Sequence, residues 1–333
     1  MARIVDVAER AGVSVGTVSR VINSNPRVTP ALRARVEAAI AALDYRPNAL
    51  ARSLRRQRTH TLGLVIPDIT SPYFAELARW IEAAAARAGY CLILGNSAGS
   101  QREEQLYIET LVDRRVDGLI LVPSHARRTL PCFGMPVVVV DRELPDADVI
   151  VSDNEGGARE VTEYLVGLGH EVIACIGGPR DLPVALQRHA GYVSGAAATL
   201  ARRGLTPGAY TRWGSYDYQS GYDLARVLLA LAPRPTAIVA SSDQQAVGAL
   251  RACADLGLAV PGDVSVTGFD DIPLAWLVTP RLTTVAQPVE ETAARAVERL
   301  LARTAEPRLA PRREVLPTIV RVRDSCAPPR GDQ

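Results

Sequence analysis

Seven short apolar runs punctuate the chain after Thr61: TLGLVI, CLILG, DGLILV and PVVVV, then VIACIGG, TAIVA and DVSVTGF. Longer stretches with helical spacing lie between them, such as 72–88 and 156–168. Strands this uniformly apolar are buried on both faces, and strand–helix alternation marks parallel sheets clad in helices. The runs are too many for one compact sheet. The expectation is therefore an α/β body of two similar lobes, divided near 154–157.

The ends of those runs carry the chemistry. Asp68, Asn96, Ser124, Asp141, Ser242–Asp243 and Asp270–Asp271 each follow an apolar strand. Ligands of open α/β sheets bind at the carboxyl ends of the strands. Two lobes facing each other through such ends make a polar cleft that suits a sugar or another small polar molecule. Tyr73, Phe74, Tyr216 and Trp276 are the aromatic faces available for stacking, in a chain with only 5% aromatic residues. Asp243 and Asp271 have a second reading as caps of the helices that follow them.

The first 58 residues differ in kind. Three short helices are expected. The first covers 4–10, with Val5 and Ala8 on one face and Gly12 at its end; the second follows Ser14 as N-cap. The third starts at Thr29 as N-cap and Pro30 at the first helical position. Leu32, Val36, Ile40 and Leu43 give this last helix its apolar stripe. Two short helices across the tight glycine turn RAGVS, with a third packed on them, form a helix-turn-helix, whose second helix enters the major groove. Gly16 stands in the first turn of that second helix, where glycine costs about 0.5–1 kcal/mol relative to alanine. After it, Asn48 is placed to cap a further short helix over 49–55, with Arg52, Arg55, Arg56 and Arg58 beside Leu50 and Leu54. A helix that short is marginal in water and needs a partner to order it.

Charge separates the same two parts. Residues 1–58 hold eleven arginines against four acids, a balance of +7, which leaves −5 for the rest of a chain whose net charge is +2. A basic head on an acidic body points to a polyanion partner for the head alone. The chain contains no lysine, so every basic contact is a guanidinium able to hold phosphate or guanine bidentately.

The stretches VDVAERAGVSVGTVSRVIN, VTPALRARVEAAIAALDYRPNALARSL, LGLVIPDITSPYFAEL, DGLILVPS and DVSVTGFDDIPLAWLVTPRLTTVAQP together resemble the LacI family of bacterial transcription repressors. The resemblance implies an α-helical helix-turn-helix head over 1–46 and a hinge over 47–58. An α/β two-lobed, periplasmic-binding-protein-like body with parallel sheets would follow over 59–333. Lobe one would comprise 59–155 and 289–315, and lobe two 156–286 and 316–325. It further implies a homodimer on a pseudo-palindromic operator in double-stranded DNA, released by a small sugar-like effector. Val15, Gly16 and Arg20 fall at the base-reading positions. Ser14, Thr17, Ser19 and Asn23 fall beside them, Ile4, Arg27 and Asn48 at further DNA positions, and Leu54 at the residue that wedges into the minor groove. Effector positions are Tyr73, Phe74, Ser124, Asp141, Arg188, Tyr216, Ser242, Asp270 and Gln287, with Arg188 and Asp270 as the central pair. The sequence departs from the family pattern at Ser242, where asparagine is common, and at Pro183, where a small polar residue is usual.

Other classes fit less well. His60, His125, His170 and His189 have neither metal-ligand spacing nor a nucleophile with an orienting group, and IGGP lacks the glycine pattern of a dinucleotide site. No enzyme activity, cofactor or metal is expected. No apolar run reaches the length of a membrane span. MARIVDVAER carries charges within its apolar stretch, against a signal peptide, and the five scattered cysteines fit reduced thiols in the cytoplasm. The body alone would also suit a solute-binding protein of a transporter, which the basic head and the missing signal peptide disfavour. An activator, or a repressor that requires a corepressor, stays open within the regulator class. The tail RDSCAPPRGDQ has no leucine heptad, so a dimer and not a tetramer is expected.

Overall fold

The computed structural model describes residues 2–22, 25–45, 58–125 and 134–330. It divides into two compact units, Met1–Thr59 and His60–Gln333.

In the first unit α1 (Ile4–Ala11) starts where Asp6 accepts the amide of Arg3 at 2.7 Å. It stops at Gly12, which takes the left-handed conformation at φ +60°. Arg35 then donates to the carbonyl of Ala11 at 2.6 Å, a cation on the negative helix end. The buried face of α1 is Val7, Ala8 and Ala11, while Val5 is 43% exposed. The face is thus turned from the expected Val5–Ala8 side, because positions 7, 8 and 11 meet both other helices. Helix α2 (Val15–Ile22) is capped by Ser14, whose Oγ accepts the amide of Thr17 at 3.2 Å, and it buries Val18 and Val21. In α3 (Pro30–Ala42) the proline opens the helix, but Thr29 makes no side-chain capping bond. Val36, Ala39, Ile40 and Leu43 join the head core, whereas Leu32 does not, so the stripe begins one turn later than the sequence spacing indicates.

The second unit holds two six-stranded sheets. The first is ordered β11-β5-β4-β3-β1-β2. Its strands are β1 (Thr61–Ile66), β2 (Cys91–Asn96), β3 (Gly118–Leu121), β4 (Val137–Val140), β5 (Asp148–Ser152) and β11 (Arg313–Leu316), all parallel. The second is ordered β12-β10-β9-β8-β6-β7. It contains β6 (Ile173–Gly177), β7 (Thr211–Trp213), β8 (Ala237–Ala240), β9 (Ser265–Asp270), β10 (Thr283–Ala286) and β12 (Ile319–Arg321), with only β12 antiparallel. The chain crosses between sheets after β5, after β10 and after β11. The stretch leading into β11 is held by Asp148, which accepts from Arg299, Arg303 and the amide of Arg312.

Helices α4 (Pro72–Arg87) and α5 (Gln101–Asp113) follow β1 and β2. Helices α6 (Asn154–Gly167), α7 (Pro183–Arg202), α8 (Tyr218–Leu229) and α9 (Asp243–Asp255) serve the second sheet, and α10 (Leu274–Leu277) is a single turn. Helix α11 (Val289–Ala305) returns to the first sheet, burying Ala293, Ala296, Val297 and Leu300 in its core. The edge strands β2, β11 and β12 depart from two-sided burial, since Ile93, Leu94, Val315 and Ile319 stay exposed.

Candidate functional site

Two surfaces collect the polar side chains singled out by sequence. On the head, α2 turns Val18 and Val21 inward, which leaves Ser14, Val15, Gly16 and Arg20 on its outer face. Thr17 and Ser19 flank that face, half-buried, and Thr17 Oγ1 lies 3.0 Å from Ser14 Oγ. Ile4 is half-buried against the head core, and Arg27 is exposed beyond the turn after α2. A Cβ on Gly16 would meet only Ser14 Oγ at 3.7 Å, so nothing in the head fold demands glycine there. Asn23, Asn48 and Leu54 lie outside the described residues.

In the body, the carboxyl ends of β4 and β9 and the crossover after β10 bring one cluster together. Arg188, 6% exposed on α7, is its hub. Its Nε donates to Asn154 Oδ1 at 2.8 Å, and its Nη1 donates to the Ser241 carbonyl at 2.6 Å and to Asp270 Oδ1 at 3.3 Å. The guanidinium lies 3.8 Å above the Phe269 ring. Gln287 Nε2 donates to the same Asp270 oxygen at 2.7 Å, and Tyr73 Oη donates to Gln287 Oε1 at 3.3 Å. Helix α4 of lobe one, the crossover and strand β9 of lobe two thereby share one chain of hydrogen bonds. Asp141 stands close enough to raise the Tyr73 hydroxyl, whose pKa burial has already pushed well above its ordinary value.

Electrostatics follow from that enclosure. Burial pushes Asp270 up to about 6, although Arg188 and the Gln287 amide pull it down. Burial is the largest single influence and works against the charge of Arg188, but Asp270, Tyr216, Asp141 and Tyr73 together outweigh it and the guanidinium is held more firmly protonated. Asp141 and Asp270 sit at φ +67° and +117°, backbone that non-glycine residues adopt at a cost of about 1–3 kcal/mol each. Such strain persists where the surrounding structure over-determines it, and here it coincides with the candidate ligand carboxylates.

Other sequence-predicted positions have mixed fates. Ser124 is buried, its Oγ 2.6 Å from Ser97 Oγ and its amide donating to Glu104. Tyr216 lies over Gly178, where a Cβ would come within 2.2 Å of its ring. Burial raises its hydroxyl to about 12, and that oxygen has no partner among the described residues. Phe74 packs on the lobe-one core, edge-on to Tyr73 at 5.2 Å. Ser242 is the N-cap of α9, accepting the Gln245 amide at 3.2 Å, so its oxygen already serves the helix.

Asp243 is not that cap. It accepts from the Ile272 amide at 2.8 Å and from the Thr284 hydroxyl, tying α9 to the loop that carries Asp270. Asp271 caps no helix either, being paired with Arg323 at 2.5 Å. Trp276 is 60% exposed and joins none of the buried clusters. Pro183 opens α7 at a position where a missing amide costs nothing.

Sequence reasoning missed three residues. Arg142 is buried beside Asp141 at 3.4 Å and donates to the Ser124 carbonyl at 3.3 Å; its place directly after a strand-end aspartate was the available signal. Asn154 orients Arg188. Gln245 donates to the carbonyls of Gly177 at 3.1 Å and Ser215 at 2.8 Å, fixing the two loops that carry Tyr216 and Gly178. No local pattern marks either amide. His170, by contrast, is structural: its ring bridges Thr236, Ser265 and the Ala327 carbonyl, and burial lowers its pKa. Among the described residues no group of acidic, histidine and cysteine side chains is arranged to hold a metal ion.

A basic helix-turn-helix joined to a two-lobed body with a buried polar cleft defines a DNA-binding regulator that carries a ligand-sensing module. Residues 3–48 match the family described as bacterial regulatory proteins, lacI family, and residues 162–326 match the periplasmic binding protein-like domain. The ribose operon repressor of Escherichia coli (strain K12) is 39% identical over 337 aligned positions, covering 98% of this chain and 100% of that protein. Catabolite control protein A of Priestia megaterium is 37% identical over 296 positions, 86% of this chain and 87% of the relative. Among solved structures, the lac repressor dimer bound to operator and the anti-inducer ONPF superposes with a TM-score of 0.84 at 28% identity, covering 98% of this chain and 99% of that one. The regulator CelR in complex with cellobiose gives 0.72 at 32% identity, over 98% and 100%. The chain belongs to the LacI family and is a DNA-binding transcriptional regulator of the repressor type. None of the helices among the described residues is long and apolar enough to cross a membrane.

Proposed function

We propose that this repressor binds its operator as a homodimer in the cytoplasm and releases it when a sugar-type effector enters the cleft, with no catalytic step. The observation that carries this reading is the hydrogen-bonded chain Tyr73–Gln287–Asp270–Arg188, which draws on both lobes and the crossover at once. A ligand that inserts into that chain changes how the lobes are held together. The ribose and cellobiose in the names and complexes of its relatives make sugars the first class to try.

The effector contacts are Tyr73, Ser124, Asp141, Arg188, Tyr216, Asp270 and Gln287, with Phe74 backing Tyr73 and Ser242 contributing only its hydroxyl hydrogen. On the head, Arg20 reads guanine bidentately, worth about 1–3 kcal/mol of discrimination. Val15 offers methyls to thymine. Ser14, Gly16, Thr17, Ser19, Asn23, Arg27, Ile4 and Asn48 complete the contact surface, and Leu54 wedges the operator centre.

The test is a thermal-shift screen of D-ribose, cellobiose and nucleosides, followed by operator binding with each hit on a site selected from random DNA. A true effector lowers operator affinity about 5–150-fold, the usual range of allosteric coupling. Saturating occupancy of the cleft with operator affinity unchanged would sink the proposal.

A further inference from the structure

Two ion pairs belong to this cleft, one from each lobe: Asp141–Arg142 at 3.4 Å and Asp270–Arg188 at 3.3 Å, all four side chains nearly buried. Two carboxylates and two guanidiniums leave the cluster without net charge. A third carboxylate, Asp243, is fully buried behind Asp270; burial and then Asp270 push its pKa well up. Neutral or ionised, it gives the cleft no positive excess. Arg180, on the loop after β6, is exposed and lies 4.9 Å above the Trp213 ring.

The groups still free to bind are mixed in kind. Arg188 spends Nε and Nη1 on Asn154, Ser241 and Asp270, and Arg142 spends Nε and Nη1 on Asp141 and Ser124. Both Nη2 groups remain as donors among the described residues. Asp270 accepts twice through Oδ1, so Oδ2 remains as an acceptor beside one of those donors. The Tyr216 hydroxyl, buried and without a partner among the described residues, both donates and accepts. A pair of neighbouring hydroxyls satisfies this arrangement, because each gives its hydrogen to a carboxylate and takes one from a guanidinium. A phosphate group only accepts. It would bring its charge against two carboxylates whose compensating cations are already paired.

We infer that the effector is an uncharged polyol and that the cleft rejects the phosphorylated form of the same sugar. This rests on the effector reading above. The experiment is calorimetric titration of the full-length chain with matched pairs: D-ribose and D-ribose 5-phosphate, D-glucose and D-glucose 6-phosphate, D-fructose and D-fructose 6-phosphate, with inorganic phosphate as control. The free sugar of any binding pair should bind at least tenfold tighter than its ester. Asp270→Asn, which leaves one guanidinium uncompensated, should weaken the free sugar and narrow that ratio. An ester that binds as tightly as its free sugar overturns the charge argument; if it also releases operator, the effector reading survives alone. If no member of any pair binds or alters operator affinity, both fall together.

Discussion

Exchange of Arg188 for methionine removes the cation that compensates Asp270 while keeping much of the side chain's bulk. The pair is 3.3 Å apart, which at an effective dielectric of about 20 corresponds to about 5 kcal/mol of attraction. Part of that offsets the cost of burying the guanidinium itself. Breaking a buried pair from one side generally costs about 3–5 kcal/mol, and that is the expected loss near pH 8.

The loss should shrink in acid. Asp270 is held at about 6, above an ordinary carboxyl, so the folded chain takes up a proton there. Its contribution to stability is therefore fully present below the ordinary carboxylate range and is lost as pH rises through 6. Without Arg188, which pulls the value down, the carboxyl moves higher still. At pH 5 it is mostly neutral in both proteins, and the variant lacks the bonds to Asn154, Ser241 and the uncharged Asp270 without the charge pairing, about 0.5–1.5 kcal/mol each. Urea unfolding of the full-length chain, followed by far-ultraviolet circular dichroism at pH 5 and pH 8, measures both numbers. The difference should grow by about 1.4 kcal/mol for each unit the carboxyl has risen. Equal losses at the two pH values, or less than about 1 kcal/mol at pH 8, would refute the buried pair as the organising contact of the cleft.

Substitutions at three further positions probe the same logic. Gly16→Ala should raise the stability of the head by about 0.5–1 kcal/mol, since the added methyl meets only Ser14 Oγ at 3.7 Å. Selection of operators from random DNA then shows whether Gly16→Gln alters a base preference that Gly16→Ala leaves alone. Gly268→Ala should destabilise by about 1–3 kcal/mol through overpacking, because its Cβ would stand 2.2 Å from Asp243 Oδ1, and thermal melting reads this out. Gln245→Met should cost about 1–3 kcal/mol by orphaning the carbonyls of Gly177 and Ser215. It should also weaken effector binding in calorimetry while leaving ligand-free operator affinity intact.

The apolar runs were legible because a strand covered on both faces has no room for polar side chains, as β1, β3, β4, β6 and β8 show. Strands such as β7 (TRW), β11 (REVL) and β12 (IVR) were not, since short or edge strands take their identity from the neighbour they pair with. The head's order was visible in Ser14, Gly12 and Pro30, which act through local backbone chemistry. Its packing face was misjudged at Val5 because an eight-residue helix offers too few apolar positions to fix a direction.

The site divides along the same line. Strand-end aspartates announce themselves, because the end of a buried run is where a polar group first becomes tolerable. What the run cannot say is which carboxylate faces the ligand. Both stand where an apolar strand ends: Asp243 opens α9 three residues past β8, and Asp270 is the last residue of β9. Asp243 lies under its neighbours, bonded to Ile272 and Thr284, and Gly268 leaves the space that admits it. Asp270 instead takes a backbone conformation at φ +117° and meets Arg188 and Gln287 from elements 82 and 17 residues away. The choice between strut and ligand group is thus made by long-range contacts and by backbone strain, and neither leaves a trace in the local pattern. Asp243 and Gln245 are then the residues to vary for changing effector affinity without touching the ligand, since they set where the Asp270 and Tyr216 loops stand.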